Sequence, residues 1–508
     1  MSDDFSKLGF TELNGKSYSY YFNDQTFRIT LIPQSIEERD KAYFEQFESI
    51  GHIKRKNEWI PSNIIKAEKL VTHSQILFSM LDNPSTHNGI AQYPVNWYIE
   101  LPDEGDIDLI DGIDFIGGDV NNFYNPNHAI ERTYDTDSFS VKASFKQTAD
   151  CGTFDFDMGK IAGDTANAAG GVKAEISESA EITGRTKCSI TVFHSASSQL
   201  NNFDSPLVVK SFIRFELSRP VNLEECRKLY TDARGLFLYL SCRNNVHFDD
   251  VRLIWKHPVN KHPDYHVYGK VHFPVKDDPD DDPEKQRQII DHEQLGVHTA
   301  DLVSYIHQDK VGFQFICDSA RARHSYPPSR VIAICTEFER EFRNIYGTDT
   351  QRHELYKATK EEIVNLLESK AAEATGNKKQ YIKSFAKTIS NSDDKYSQRV
   401  QFALDHNKEV ITPFIDRIYI DDLENMKDGI ADRLNDIRNG LAHSRLDFEL
   451  EPVNLSDIQI LEMLSYVIVL QQYLEPVNVI RALSNLYDIR LFIKDPADKE
   501  RGQSEGNE

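Results

Sequence analysis

The sequence predicts an α+β protein of more than one domain, in which a β-rich, sandwich-like or barrel-like N-terminal domain precedes an all-helical bundle. Two observations carry this prediction: short β-type runs recur over the first 275 residues or so, and the hydrophobic period becomes helical from about residue 325. At 508 residues the chain is long enough for two or three separate cores. We expect the β-rich domain over 1–320, the helical domain over 321–495 and a disordered tail over 496–508.

The predicted strands are short runs rich in β-branched and aromatic residues, separated by turn clusters such as Gly117-Gly118-Asp119. One segment, Asn222–Arg243, instead has apolar residues at helical spacing just after Pro220, so it predicts a helix packed on the β domain. The strand-like runs are Tyr18–Phe22, Phe27–Ile32, Val95–Leu101, Phe139–Phe145, Ser189–His194, Val208–Leu217 and Tyr265–Phe273.

An acidic segment, Asp277–Glu284, lies between the two halves and holds five Asp and two Pro in eight residues. Like charges repel and proline blocks regular pairing, so this composition favours a solvated loop. A calcium site is the alternative, but the EF-hand spacing and its glycine are missing.

The C-terminal part shows a helical period almost throughout. The predicted helices cover 329–346, 353–374, 378–404, 407–418, 421–446, 455–474 and 477–488.

Composition limits the function classes. The net charge of −23 argues against wholesale coating of nucleic acid, which requires Lys and Arg to neutralise phosphates, although a local basic groove remains compatible with it. The six cysteines are scattered, which indicates reduced thiols. The N-terminus lacks the pattern of a signal peptide, and no run approaches about 18 uninterrupted apolar residues. We therefore expect a cytoplasmic protein without membrane contact.

Several motifs fail on spacing. Gly152 and Gly159-Lys160 enclose too many residues for a phosphate loop, and His292-Glu293 lacks the second histidine of a zinc helix. Seven histidines fall between 247 and 298 without a matching carboxylate or cysteine pattern. Surface or packed histidines explain them, and a metal site is the alternative. We expect no cofactor and no metal.

The remaining candidate is Arg438-Asn439-Gly440-Leu441-Ala442-His443. Arg-x4-His occurs three times in the chain, but only this copy lies in an amphipathic helix within an all-helical region. The apolar residues of that helix step by four, four, three and four, which predicts one packed stripe, and a row of Asp predicts a solvated face. The stripe is Met426, Ile430, Leu434, Ile437 and Leu441, and the row is Asp428, Asp432 and Asp436.

At about 100° per residue, His443 lies about 140° from Arg438 on a straight helix. Either the helix ends or bends near Gly440, or a dimer completes the site. Histidine can serve as acid or base in metal-free RNA cleavage, and arginine can stabilise the phosphorane charge. Asn439 could hold a phosphate oxygen or orient the histidine. The structural alternative is a helix-terminal Arg with a His that caps the last carbonyls.

RNGLAH resembles the R-N-x-x-x-H signature of HEPN ribonucleases. This resemblance implies a four- or five-helix bundle, a homodimer whose two motifs face one cleft, and metal-independent cleavage that leaves a 2′,3′-cyclic phosphate. The two-domain order is similar to that of ApeA-like antiphage proteins, loosely over residues 1–200. The more specific parts are FIRFELSRPVNLEECRKLYTDARGLFLYLSCRNNVHFDDVRLIW and the first bundle helix VIAICTEFEREFRNIYG, in which Glu337 matches an acidic position.

The implied function is abortive-infection defence: an RNA endonuclease, acting on tRNA or other structured RNA, responds to a phage-derived trigger sensed by the N-terminal domain. Arg438, Asn439 and His443 would be catalytic, with Glu337 and Arg445 in support. The rival interpretation is a catalytically silent dimerisation bundle with a ligand-sensing β domain that signals to a partner. A third is a metal enzyme that uses the 247–298 histidines.

Overall fold

The structure is a computed structural model of the chain, and the chain divides into two compact units. The first comprises 1–237, 245–279 and 296–307, and the second comprises 238–244, 280–295 and 308–508. The second unit thus includes two segments that precede the predicted boundary at 320. The structure describes residues 7–13, 16–34, 63–80, 85–87, 90–101, 110–126, 130–135, 140–145, 148–156, 186–198, 207–221, 223–257, 264–274, 281–347, 354–390, 395–442 and 450–491.

The first unit is built on antiparallel strands. Six of them close into a ring in the order β7-β3-β2-β1-β4-β5, because β7 pairs with both β3 and β5. The ring strands are β1 (Leu8–Leu13), β2 (Lys16–Asn23), β3 (Arg28–Pro33), β4 (Asn63–Lys69), β5 (Gln75–Met80) and β7 (Ile90–Leu101), and the short β6 (Ser85–His87) pairs with β7.

Side chains at alternate positions of the strands fill the interior of the ring of strands. In β2, the side chains of Tyr18, Tyr20 and Phe22 are buried, and the residues between them are less so. Phe78 of β5 packs edge-on against Tyr20, with ring centroids 5.3 Å apart. In β2 and β3 every second residue therefore points inward, as a half-buried strand requires. The barrel-like form of the prediction is confirmed for these strands.

Beyond the ring, the sheet continues from β7 in the order β15-β14-β8-β13-β12-β11. A separate hairpin pairs β9 with β10. The predicted strands are confirmed, and the predicted helix at Asn222–Arg243 is observed as α2. The elements are β8 (Ile110–Ile116), α1 (Asp119–Phe123), β9 (Ile130–Asp135), β10 (Ser140–Phe145), β11 (Ala149–Phe156), β12 (Thr186–Ser198), β13 (Leu207–Val221), α2 (Leu223–Ser241), β14 (Asp250–His257) and β15 (Asp264–His272).

The helices that follow the sheet form most of the second unit. The central one, α12, is buried on nearly all sides and packs against α6, α10, α11 and α13. By length and composition α12 could cross a membrane, but 83% of its apolar window is buried, as in a core helix. The helices are α3 (Pro283–Gln286), α4 (His292–Leu295), α5 (Thr299–His307, in the first unit), α6 (Pro328–Tyr346), α7 (Glu354–Glu373), α8 (Gly376–Ser390), α9 (Tyr396–His406), α10 (Lys408–Ile418), α11 (Ile430–Ala442), α12 (Pro452–Leu470) and α13 (Pro476–Tyr487).

Two predicted helices are each divided. The segment 378–404 forms α8 and α9 rather than one helix. The segment 421–446 begins as a 3-10 turn over Asp421–Met426, and α11 starts only at Ile430. Gly429 has φ +83°, a left-handed conformation that a right-handed helix cannot contain, so a new helix begins after it.

The acidic segment was predicted to be a solvated loop, and its described end contradicts this prediction. Asp281 is 9% exposed, and its carboxylate accepts hydrogen bonds from the backbone N–H groups of Ala320 and Arg321. Asp282 caps α3 by accepting from the N–H of Glu284 at 2.9 Å. The carboxylates at this end of the segment therefore satisfy backbone donors. Residues 277–280 lie outside the described residues, as does the predicted tail 496–508.

Candidate functional site

The motif helix α11 packs one side into the bundle and leaves the other in solvent. Ile430, Leu434 and Ile437 are buried, which confirms the central part of the predicted stripe. The predicted row of Asp428, Asp432 and Asp436 is exposed. Met426 does not belong to the stripe, because it precedes Gly429 and is 43% exposed. Leu441 is half-buried.

Arg438 flanks the buried stripe, and its side chain is 40% exposed. One terminal nitrogen, Nη2, lies 3.6 Å from Oε2 of Glu339 on α6, a long distance for an ion pair. The other, Nη1, donates to Oδ1 of Asn439 at 3.3 Å. The guanidinium also lies 5.5 Å from the ring centre of Tyr396 on α9. These contacts with described residues are weak, and 40% of the side chain is exposed, so part of the donor capacity of Arg438 faces solvent.

Glu339 joins two arginines. Its Oε1 accepts from Nη1 of Arg399 at 3.2 Å, and its Oε2 faces Arg438. Arg399 lies on α9 with only 3% of its side chain exposed, so it forms the rigid side of the group. Two guanidinium groups thus share one carboxylate. This leaves a local positive charge at the exposed Arg438, which suits an anion within a chain of net charge −23.

Below these groups lies a neutral, buried layer. Burial raises the pKa of the Cys335 thiol to about 11, and burial likewise raises the pKa of the Tyr396 hydroxyl well above its usual value. Neither side chain can therefore act as a base near neutral pH. Their role is to pack α6 against α9 beneath the charged groups, where the Tyr396 ring also meets Arg438.

The described contacts of Glu337 do not include Arg438. Its Oε1 accepts from the backbone N–H of Gly312 at 2.8 Å and from Nη2 of Arg340 at 2.5 Å. Burial, with the nearby Glu341 carboxyl, raises the pKa of Glu337 to about 9. A Cβ at Gly312 would collide with this carboxyl group, so the glycine and the acid form one tightly packed cluster. Among the described residues, the carboxylate that lies beside Arg438 is that of Glu339.

Of the five predicted site residues, the structure brings together Arg438 and Asn439. His443 and Arg445 lie outside the described residues, because α11 is described only to Ala442. The arrangement at the end of the motif therefore remains a prediction. Sequence analysis missed Glu339, Tyr396 and Arg399. One usable signal was available, since Glu339 lies one turn after the buried Cys335 on a strongly amphipathic helix.

The histidines between 247 and 298 are dispersed where they are described. His272 stacks on Tyr98 with ring centres 4.4 Å apart, and His298 pairs with Asp301 at 2.8 Å. In the part of the chain that the structure describes, no three His, Cys, Asp or Glu side chains come together in a group that could hold a metal ion.

The first unit contains a cleft of about 250 Å³. Aromatic rings of Phe27 and Tyr98 line it together with charged side chains of Arg234, Asp249 and Asp250. Phe27 has φ +50°, an uncommon conformation for a residue with a side chain. Strained backbone of this kind is frequent at binding sites, so the cleft is a second candidate site.

Comparison of the chain with models of known protein families, with curated proteins and with solved structures gave no match. The site must therefore be interpreted from its own geometry and from the motif.

Proposed function

We propose that this chain is a metal-independent RNA endonuclease of the HEPN type, with Arg438, Asn439 and His443 as its catalytic residues. The observation that carries the proposal is the guanidinium of Arg438, which is 40% exposed on the helix that carries the motif and is only partly bonded by the described residues. Five donors in a planar fork match the oxygens of a phosphate, and few of them are used by the part of the chain that the structure describes.

The reaction assigns one role to each group. The 2′-oxygen of a ribose gives up its proton and attacks the adjacent phosphorus, and the P–O5′ bond breaks as the leaving 5′-oxygen takes up a proton. His443 is the base for the first proton or the acid for the second, and water exchanges the other proton. The products are a 2′,3′-cyclic phosphate and a 5′-hydroxyl. Arg438 balances the charge that develops on the phosphorane oxygens, and Asn439 holds a phosphate oxygen or the histidine. Glu339 holds Arg438 from the side away from the substrate.

The wider role rests on the resemblance of the motif and of the domain order. A homodimer through the bundle brings two motifs to one cleft, and the cleaved RNA is tRNA or another structured RNA. The enzyme acts in the cytoplasm in antiviral defence by abortive infection, and the β-rich unit senses a phage-derived trigger. Arg445, two residues beyond His443, adds positive charge to the same segment.

The test is cleavage of total cellular RNA by the purified full-length protein with EDTA present, alone and after addition of a phage-infected cell extract. Wild type is expected to produce discrete cuts with 2′,3′-cyclic ends. His443→Ala and Arg438→Ala are each expected to lose about 10²-fold or more in rate, by analogy with the loss of one transition-state donor. The controls are His406→Ala and Arg417→Ala, which remove the same side-chain types from exposed positions on α9 and α10.

The proposal fails if all variants cut equally, because the active site would then lie elsewhere. It also fails if wild type cuts no RNA under either condition. That second result favours the rival function, a silent bundle coupled to a ligand-sensing β unit. The specific observation behind the rival is the aromatic and charged cleft of the first unit, which has the composition of a small-molecule site.

A further inference from the structure

Helices α7 and α8 form a hairpin in the second unit. Gly376, with φ +59°, begins α8 after a short turn, and the two helices pack mainly against each other. Small residues, Ala371 of α7 and Ala386 of α8, are buried where the helices meet. The remaining surface of α8 is open to solvent along its length. The hairpin therefore has few buried residues and much solvent-exposed surface.

The charge of α8 is opposite to that of the chain. Its 15 residues include four lysines and no Asp or Glu, whereas the whole chain carries −23. Three of the lysines, Lys379, Lys383 and Lys387, line an open cleft between the helices, which Glu368 of α7 also lines. Among the described residues, no carboxylate pairs with any of the four. Such a helix attracts a polyanion.

Two aromatic side chains of α8 are exposed. Tyr381 is 64% exposed and Phe385 is 60% exposed, and their spacing of four places them side by side. At about 100° per residue, they lie about 160° from Lys383 and Lys387, with Ser384 midway. The solvent-facing surface of α8 thus has a basic flank, an aromatic flank and small polar side chains between them.

We propose that α8 binds an unpaired stretch of RNA, whose phosphates contact the lysine flank while its bases stack on Tyr381 and Phe385. This inference rests on the proposed function in one respect, the choice of RNA as the nucleic acid. Aromatic rings accept any base on their faces, and ammonium groups follow the backbone without reading sequence. The hairpin would hold substrate RNA for the site at Arg438 without taking part in the chemistry.

The types of cationic and aromatic residue on α8 favour RNA over a protein partner. A protein interface is typically depleted of lysine at its centre and enriched in arginine and aromatic residues. Here the cations are all lysines. The exposed aromatics form a short row that ends at the partly buried Ile389, and Lys378 lies beside Tyr381 one turn before it. The set matches single-strand recognition, in which a basic track accompanies isolated stacking platforms.

The experiment measures fluorescence anisotropy of a labelled 20-nucleotide 2′-O-methyl RNA with the full-length protein. This probe cannot be cleaved through a 2′-hydroxyl, so binding is measured whether or not the chain is a nuclease. The variants are Lys383→Glu with Lys387→Glu, and Tyr381→Ala with Phe385→Ala. The control is Lys187→Glu with Lys270→Glu, which changes the net charge equally on exposed strand positions of the first unit.

The lysine pair is expected to weaken binding about 10-fold or more and to reduce the slope of log K against log salt by about 0.7 for each phosphate that the protein no longer neutralises. The aromatic pair is expected to weaken binding at least about fivefold per stacked base with an unchanged salt slope. The control should bind like wild type, and a fully paired RNA should bind less tightly than the single strand.

The inference is overturned if wild type does not bind the probe, or if the lysine pair binds as tightly as the control. It is also overturned if the aromatic variant keeps RNA affinity but changes the oligomeric state in light scattering, because α8 would then be a protein interface. Failure of the proposed function is a separate result, since it appears as absent or Arg438-independent cleavage of unmodified RNA while binding to α8 persists.

Discussion

Two arginines of the helical unit occupy opposite kinds of environment. Arg330, on α6, is 7% exposed and donates to four backbone carbonyls, those of Phe315, Ala322, Arg323 and Ser325, and to Oε1 of Glu462 at 2.6 Å. The side chain of Arg438, on α11, is 40% exposed, and among the described residues it has one hydrogen bond of 3.3 Å and a carboxylate 3.6 Å away. All three nitrogens of Arg330 therefore donate hydrogen bonds within the protein, whereas among the described contacts of Arg438 only Nη1 donates one.

The difference separates a structural arginine from one available to a ligand. A buried guanidinium must have its donors satisfied, because each unsatisfied group retains its desolvation cost. Arg330 meets this requirement and also stacks over Tyr326, whose hydroxyl donates to the same Glu462. Arg438 has little reason to be an arginine for stability alone, since its contacts are long and solvent screens them. Function explains its donor fork better than folding does.

The largest expected effect is on stability. Arg330→Ala should lower the free energy of unfolding by about 3–5 kcal/mol, because Glu462 is fully buried and would lose its cation. Arg438→Ala should change it by only about 0.5 kcal/mol or less. Urea unfolding followed by circular dichroism measures both. Equal destabilisation of the two variants would contradict the comparison. The double variant Arg330→Met with Glu462→Leu should be less destabilised than Arg330→Ala, because it leaves no buried carboxylate without its cation.

Much of the fold could be predicted because it follows from local periodicity. Alternation predicts strands such as β2 and β13, and a 3.6-residue period predicts α2, α6 and α12. The sequence left a sandwich-like and a barrel-like form open. Which strands close into a ring could not be predicted, since it depends on β7 pairing with both β3 and β5. The break before α11 depends on the conformation of one residue, Gly429. The helical spacing of apolar residues in the sequence continues across that glycine and so gives no sign of the break.

The candidate site could be predicted only in part, for a similar reason. Arg438 and Asn439 follow from the motif. Glu337 and Glu339, however, lie on opposite flanks of the apolar stripe of α6, about 160° apart. Which flank faces α11 is decided by the packing of α6, α9 and α11, and no pattern within one helix contains that information. The prediction chose Glu337, and the structure pairs Glu339 with Arg438.

A smaller effect concerns Glu339 as a positioning residue. Glu339→Gln keeps a hydrogen-bond acceptor for Arg399 but removes the charge that holds Arg438. We expect kcat for RNA cleavage to fall about 3–10-fold, roughly 1 kcal/mol, while KM stays equal or decreases, because an anionic substrate meets one fewer carboxylate. Steady-state kinetics on a short cleavable RNA separates the two constants. A raised KM with unchanged kcat would contradict this role and indicate that Glu339 contacts the substrate.

The smallest expected effect on RNA cleavage belongs to Glu337, whose described contacts do not include Arg438. Glu337 instead changes how stability depends on pH. Its pKa of about 9 in the folded chain exceeds the ordinary value of 4.5, so the folded state retains a proton that the unfolded state releases. Stability from this group is therefore complete below about pH 4.5 and is lost as pH rises towards 9. Glu337→Gln cannot ionise, so its unfolding midpoint should decrease less than that of wild type between pH 5 and pH 9. Glu361→Gln, an exposed position on α7, is the matched control.

Because Glu337 contacts Gly312 and Arg340 rather than Arg438, cleavage by Glu337→Gln at pH 7 should remain close to wild type. A loss comparable to that of Arg438→Ala would instead place Glu337 in the site, as the motif resemblance predicted.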